Sequence, residues 1–298
     1  MTQAVPRPAL VDNSRLVHGR AEAEALVGSP ARWEPLTGGS GVETWRVAGP
    51  QDVRMFKLGV GACSARVARE AAVRALLEGL VPAGSRLPAQ GWHGHGEDSA
   101  WLTVPWLNGP TMWQVFAPVR RRGERTDDAL AAAVLTCISV AAVHQAEWVH
   151  GNIQPHHIIL GPGGARLVDW ASAWSPAENL PPTDTAGSPV HLSSPEMLAR
   201  SNRRPVYPTA ADEVWTLAAS IWWAASGRWP RDYRALAIDT SVFTETELAK
   251  VLVRYGAPLA PLAHWPELEA VLRYVLEAPA ESRPTALDLA QHLCALRV

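Results

Sequence analysis

Apolar residues recur at strand-like spacing through much of the first third of the chain and at helical spacing through most of the rest. Between Trp33 and Leu107, "ETWRVAG" and "QDVRMFKLG" are short β-type runs separated by the turn dipeptide Gly49-Pro50. "WLTVPWL" is a further strand, with Pro105 suited to a strand end or edge. One helix interrupts them. "SARVAREAAVRALLEGL" carries small and apolar residues at helical spacing, with Ser64 as N-cap and Gly79 near its end. Residues 1–28 are a weakly patterned leader in which "RAEAEALV" predicts a short helix. After Gly109 the pattern is mainly helical. A helix from about Thr126 to Gln145 leads into β-type segments "WVHGNI", "HIIL" and "ARLVDW" around the turn "GPGG". Helices return at "SPEMLAR", "AADEVWTLAASIWWAASG", "ETELAKVLVRYG", "WPELEAVLRYVLE" and "TALDLAQHLCAL". The expected fold is α+β: a small β-rich lobe with one main helix over 29–108, then a larger, mainly helical lobe over 109–298.

Composition narrows the function classes. The chain has 298 residues, 47% of them hydrophobic, and a formal net charge of −2. Such a balance argues against nucleic acid or a membrane surface as the main partner. Arg120, Arg121, Arg122 and Arg125 are a local exception, read as a solvated loop. Three widely spaced cysteines form neither a disulfide framework nor a metal-ligand spacing, which fits a reducing cytoplasm. No secretory leader is evident, and the apolar run Ala129 to Val143 is too short to span a bilayer, so a cytoplasmic location is expected. The 14 tryptophans have no fixed period; Trp222 and Trp223 read as core or helix-helix contacts.

The chemistry concentrates in "EWVHGNIQPHHIILGPGGARLVDWASA", Glu147 to Ala173. With the flanking segments, the order of signals resembles the protein-kinase superfamily, from about Trp33 to Leu293. The resemblance implies a bilobal kinase-like fold with ATP and Mg²⁺ as ligands, and it assigns roles. "VRMFKL" looks like the lysine strand, making Lys57 the candidate for the nucleotide phosphates. Glu70, on the following helix, is its implied partner, with Glu78 a weaker one. Pro105, Trp106 and Leu107 stand where an adenine ring would be met. "VHGNIQPHHII" looks like the catalytic loop, and "LVDWASA" like the metal-binding turn, with Asp169 at the metal position. "SSPEML" and "ESRPTALDL" imply a Glu196–Arg283 pair, and "ADEVWTLAAS" implies that Asp212 braces the catalytic-loop backbone. The phosphate loop departs from the common pattern. "PLTGGSGVETWRV" lacks a third glycine in register and is similar to the loops of aminoglycoside- and choline-kinase-like enzymes; Gly38, Gly39 and Gly41 still permit close backbone approach to phosphate.

The catalytic loop is depleted. Asn152 occupies the position of the carboxylate base, and an amide takes no proton at neutral pH. General-base catalysis contributes roughly 10²–10⁴-fold. Gln154 stands where a lysine would stabilise the transferred phosphate. His157 stands where an oxygen ligand would hold a second Mg²⁺, a hard ion poorly served by imidazole. Gly151 replaces the arginine through which a phosphorylated activation loop acts. Lys57, Glu70, Asp169, Glu196, Arg283 and Asp212 are retained. The favoured expectation is a pseudokinase, regulatory or scaffolding, that binds a protein or peptide partner, with nucleotide as a structural ligand if it binds. Two alternatives stand beside it: a working ATP-dependent phosphotransferase with a non-standard loop, and a subunit that presents a peptide to a tailoring enzyme. The pairs His156-His157 and His93/His95 in "WHGHGED" read as structural, the latter in a hairpin loop, and His150 as a core histidine bracing the loop.

Overall fold

The computed structural model describes residues 17–36, 41–79, 91–178, 180, 189–200 and 205–296. They divide into two compact units at residues 75/76, 88/89 and 106/107. The two together have the α+β, bilobal kinase-like architecture expected from the sequence.

The first unit opens with helix α1 (Val17–Val27) and continues through strands β1 (Arg32–Leu36), β2 (Glu43–Ala48) and β3 (Val53–Val60). Helix α2 (Ser64–Gly79) and strands β4 (Trp92–His95) and β5 (Ser99–Pro105) follow. The strands form one antiparallel sheet in the order β1-β2-β3-β5-β4. Two apolar clusters grow on it. Ala23 and Val27 of α1 are buried with Val47, Phe56, Leu58 and Trp101. Val67 and Ala71 of α2 are buried with Ala100, Leu102 and Val104. Helix α1 is therefore part of this unit's core, not a separate leader. Gly19 allows it, since a Cβ there would lie 2.6 Å from the indole of Trp101. A short "RAEAEALV" pattern conceals this because Ala23 and Val27 are its only members of the apolar cluster on the sheet.

The second unit begins with the short helices α3 (Met112–Val115) and α4 (Ala117–Arg122), followed by the 19-residue α5 (Asp127–Gln145). The hairpin β6 (Ile158–Gly161) and β7 (Gly164–Leu167) comes next, and then α6 (Pro195–Arg200), α7 (Ala210–Ser226), α8 (Glu245–Tyr255), α9 (Pro266–Glu277) and α10 (Ala286–Cys294). Threonines cap the starts of α5, α7, α8 and α10, each accepting a backbone N–H three residues on. Helix α5 packs against α10 and β7, and α7 against α9. By length and composition α5 is the one helix among the described residues that could cross a membrane. Its residues Ala129, Ala132, Ala133, Cys137 and Val140 are buried inside this unit.

Three local expectations change. The segment "WVHGNI" is not a strand; only Val149 bridges, to Trp174. The arginine cluster is largely helical, because Gly123 provides a left-handed stop at φ 69° and three basic residues suit the last turn of α4. Arg120 lies 3.8 Å above the Trp113 ring, and Arg122 pairs with Glu124. His93 and His95 lie on strand β4 rather than in the hairpin turn; among the described residues no group of three or more His, Cys, Asp or Glu could hold a metal ion.

Candidate functional site

In the first unit, β3 sets Lys57 between Thr44 of β2 and Leu102 of β5. Its Nζ lies 2.6 Å from Oε2 of Glu70 on α2, and Arg74, one turn further along, lies 3.2 Å from Oε1 of the same carboxylate. All three side chains are buried. The ion pair expected between Lys57 and Glu70 is thus formed, and Arg74 makes it a triad. Its i,i+4 spacing from Glu70 was the available clue. The side chain of Glu78, like Gly38 and Gly39, lies outside the described residues. Gly41 precedes β2 at φ +73°, and a Cβ there would come 2.8 Å from Cys63 Sγ, so this turn requires glycine. Pro105 ends β5 opposite Arg54, and the Trp106 N–H donates to Val53 O at 2.9 Å, with the guanidinium of Arg46 over its ring. Leu107 follows as the first residue of the second unit's main segment.

In the second unit, residues 150–157 are held from several sides. The Glu213 carboxylate of α7 accepts the backbone N–H of His150 (3.1 Å) and of Gly151 (2.6 Å), and His144 of α5 lies 2.9 Å away. Burial opposes ionisation of Glu213, but the bond and charge of His144 and the Gly151 N–H outweigh it, leaving its pKa below the ordinary carboxylate value. Ser220 Oγ, two turns along α7, donates to Ile153 O. Gly151 sits at φ +73° with Ser172 O only 2.5 Å from where a Cβ would be, so no arginine fits here without moving the backbone.

The brace is Glu213, not Asp212 as expected. Asp212 instead closes the capping box of α7 with Thr209, and it also accepts from Ser194 Oγ and Arg200. The motif T-x-x-D before an apolar run assigns Asp212 to the helix start and leaves its neighbour for the loop, a signal present in the sequence. The other implied brace is formed: Arg283 Nη2 donates to both Glu196 oxygens, at 2.7 and 2.8 Å.

His150 is buried against Trp170, ring centroids 4.6 Å apart. Its Nε2 faces Val168 O at 3.1 Å and its Nδ1 the Asn152 N–H at 3.3 Å. A carbonyl can only accept, so Nε2 carries the proton and Nδ1 accepts. Burial lowers the pKa to about 4, so the ring is neutral at pH 7.

Asn152 is 1% exposed. Its Nδ2 donates to Asp169 Oδ2 at 2.7 Å, and its Oδ1 accepts from Gln154 Nε2 at 2.6 Å. The carboxylate fixes both amides. Asp169 can only accept, so the NH₂ group of Asn152 must face it, and the remaining Asn152 oxygen then requires the NH₂ group of Gln154. His157 Nδ1 lies 3.0 Å from the backbone oxygen of Asn152 and donates to it. Asp169 itself adopts a left-handed conformation, φ 65°. The sequence brings Asn152, Gln154, His157 and Asp169 into one cluster. It did not reveal that the two amides bond to one another and to the carboxylate. His156 and His157 lie on a 3₁₀ turn, Pro155–His157, rather than on a strand; His156 packs on Trp113 and Trp223.

These donors fit the ligands implied by the resemblance only in part. A buried lysine–glutamate pair is suited to hold phosphate oxygens, and Asp169 offers oxygen to one hard cation. A second cation would meet an imidazole at His157, whose Nδ1 donates to Asn152 O, and an Asn152 amide oxygen that already accepts from Gln154.

No family model matches the chain. Among curated proteins it is similar to the probable serine/threonine-protein kinase PkwA of Thermomonospora curvata, 24% identical over 66% of this chain and 24% of the relative. It is also similar to the serine/threonine-protein kinases AfsK of Streptomyces coelicolor, 26% identical over 65% of this chain and 22% of the relative, and of Streptomyces griseus, 27% over 65% and 23%. The matched segment spans about a quarter of the length of these relatives.

Proposed function

We propose, from the relationship of this chain to the protein-kinase superfamily, that it acts as a pseudokinase: a regulatory or scaffolding module that engages a protein or peptide partner and transfers phosphate weakly or not at all. One observation carries the reading. The amide of Asn152 donates to Asp169 and accepts from Gln154, and it has no basicity at neutral pH, so the side chain at this position cannot take the acceptor hydroxyl's proton. Losing general-base assistance raises a barrier by roughly 3–5 kcal/mol. The neutral Gln154 adds no compensating positive charge. ATP, where it binds, would act as a structural ligand that stabilises the fold by mass action.

A second reading has its own support. The Lys57–Glu70 pair is closed at 2.6 Å, the arrangement a nucleotide-using enzyme needs. Positioning and electrostatics supply most of phosphoryl-transfer catalysis, so a slow ATP-dependent phosphotransferase is the alternative.

The double variant Asn152→Asp/Gln154→Lys separates the two. Under the pseudokinase reading it gains γ-phosphate transfer over wild type, measured with ATP and Mg²⁺ on a generic acceptor protein. A fall from an already measurable wild-type rate supports the working enzyme and rejects the pseudokinase.

A further inference from the structure

The second unit contains a pocket of about 840 Å³ that none of the loop chemistry uses. It lies after the end of α7, and its lining includes Trp223, Trp229, Tyr233 and Ile238, with Arg228 and Arg234. Both arginines are exposed, and no carboxylate pairs with either among the described residues.

Its floor is held by polar and ring contacts. Arg231 is buried, and its guanidinium donates to the carbonyls of Val190, His191 and Ser193 while lying over the Trp215 ring. Trp229 stacks on His191 at 4.3 Å and packs on Trp223 at 4.4 Å. The Tyr233 hydroxyl lies 2.7 Å from His191 Nδ1. A histidine held neutral in this setting serves as a flat packing surface: burial and the Arg231 charge lower its pKa to about 4. A preorganised floor reduces the ordering cost of binding.

We infer that this pocket binds a short peptide segment with an apolar anchor residue flanked by aspartate or glutamate. The anchor sits against Trp229 and Ile238, and the flanking carboxylates meet Arg228 and Arg234 in bidentate pairs. Tryptophan, tyrosine and arginine around one concavity are the residue types that dominate peptide and protein contacts. The volume lies within the range of about 300–1,000 Å³ common for ligand sites, but the charged rim suits a peptide better than an apolar small molecule. Asp232 and Asp239 also line the pocket, each turned to its own backbone: Asp232 to the N–H of Arg234 and Ala235, Asp239 to that of Ser241. With these two carboxylates beside the arginines the rim is mixed in charge, which disfavours a continuous phosphate backbone. The site supplies the partner contact that the pseudokinase reading calls for and rests on that reading for its biological role, whereas peptide binding itself does not depend on it.

The test is selection from a soluble peptide library with a fixed central phenylalanine and randomised flanks. The immobilised full chain is compared with Arg228→Glu/Arg234→Glu, both surface positions, and folding of each is confirmed by thermal melting. The expected result is enrichment of Asp and Glu in the wild-type flanks, lost in the double variant. Affinity for the best selected peptide should fall at least tenfold, and binding should be insensitive to ATP. No enrichment, enrichment of Lys or Arg, an unchanged preference in the double variant, or tighter binding of a single-stranded oligonucleotide than of any peptide each overturns the assignment. Detectable phosphate transfer alongside intact peptide selection would instead count against the pseudokinase reading alone.

Discussion

The lysine strand of the β-rich unit and the 150–157 loop of the helical unit present different polar groups. In the first, Lys57 and Arg74 both pair with the carboxylate of Glu70. In the second, the expected carboxylate and lysine have become Asn152 and Gln154, and the remaining carboxylate, Asp169, is solvated by an amide. Full charges inside a protein tolerate few arrangements, because each must be paired. Amides can satisfy one another in a chain at little cost and thereby hold a loop in shape without its acid–base capacity. Backbone contacts from Glu213 and Ser220 hold the 150–153 segment in place, while Asn152, Gln154 and His157 set the polar groups the loop offers.

Charge removal should therefore hurt the first unit most. Glu70→Ala leaves two buried cations without their shared carboxylate and should cost about 3–5 kcal/mol, read from urea unfolding. If the loss is below about 1 kcal/mol, the triad is not the ionic centre described. Within the helical unit, Glu213→Ala strands the N–H groups of His150 and Gly151 and should cost about 3 kcal/mol. Asp212→Asn should keep the loop but weaken the start of α7, so hydrogen exchange at Gly151 separates the two variants.

Asn152→Asp sharpens the contrast directly. It places a second carboxylate against Asp169 at the 2.7 Å distance now bridged by an amide hydrogen. Two such groups cannot both ionise easily, so one pKa rises. A raised carboxyl pKa means that the folded state holds the extra proton, so the variant should match wild type near pH 4 and fall behind as pH rises to 7, by about 1–3 kcal/mol. A pH-independent difference would contradict the amide bridge.

The smallest expected effect comes from the buried histidines. His150 and His191 have folded pKa values of about 4, below the ordinary 6.5. The unfolded chain therefore binds more protons between these values, and stability is intact above pH 6.5 and declines as pH falls toward 4. For His150 the loss by pH 5 is about 1–2 kcal/mol, set by roughly 1.4 kcal/mol per pH unit. Thermal melts of wild type and His191→Phe between pH 7 and 5 should show a shallower decline in the variant.

Much of this was legible in the chain. Helical spacing located α5, α7, α8 and α10, and the lysine strand, the following glutamate and the Glu196–Arg283 pair were placed by motif. What escaped the sequence depended on contacts. Asp212 and Glu213 are adjacent acids in one helical turn, and only the capping box distinguishes their directions. Likewise, Asn152 and Gln154 announce lost charge, but their bond to each other arises from a fixed backbone and an acceptor-only partner fifteen residues beyond Gln154. The core role of α1 was hidden because its helix shows little amphipathic pattern and adds only Ala23 and Val27 to the apolar cluster on the sheet.

The most direct measurement is single-turnover transfer of radiolabelled γ-phosphate from ATP, to the chain itself and to a generic acceptor, in Mg²⁺ or Mn²⁺, with Lys57→Met as the control. The account predicts that wild type and control give the same background incorporation. Incorporation by wild type that disappears in Lys57→Met would show that the amide-bridged loop still catalyses, and would contradict it.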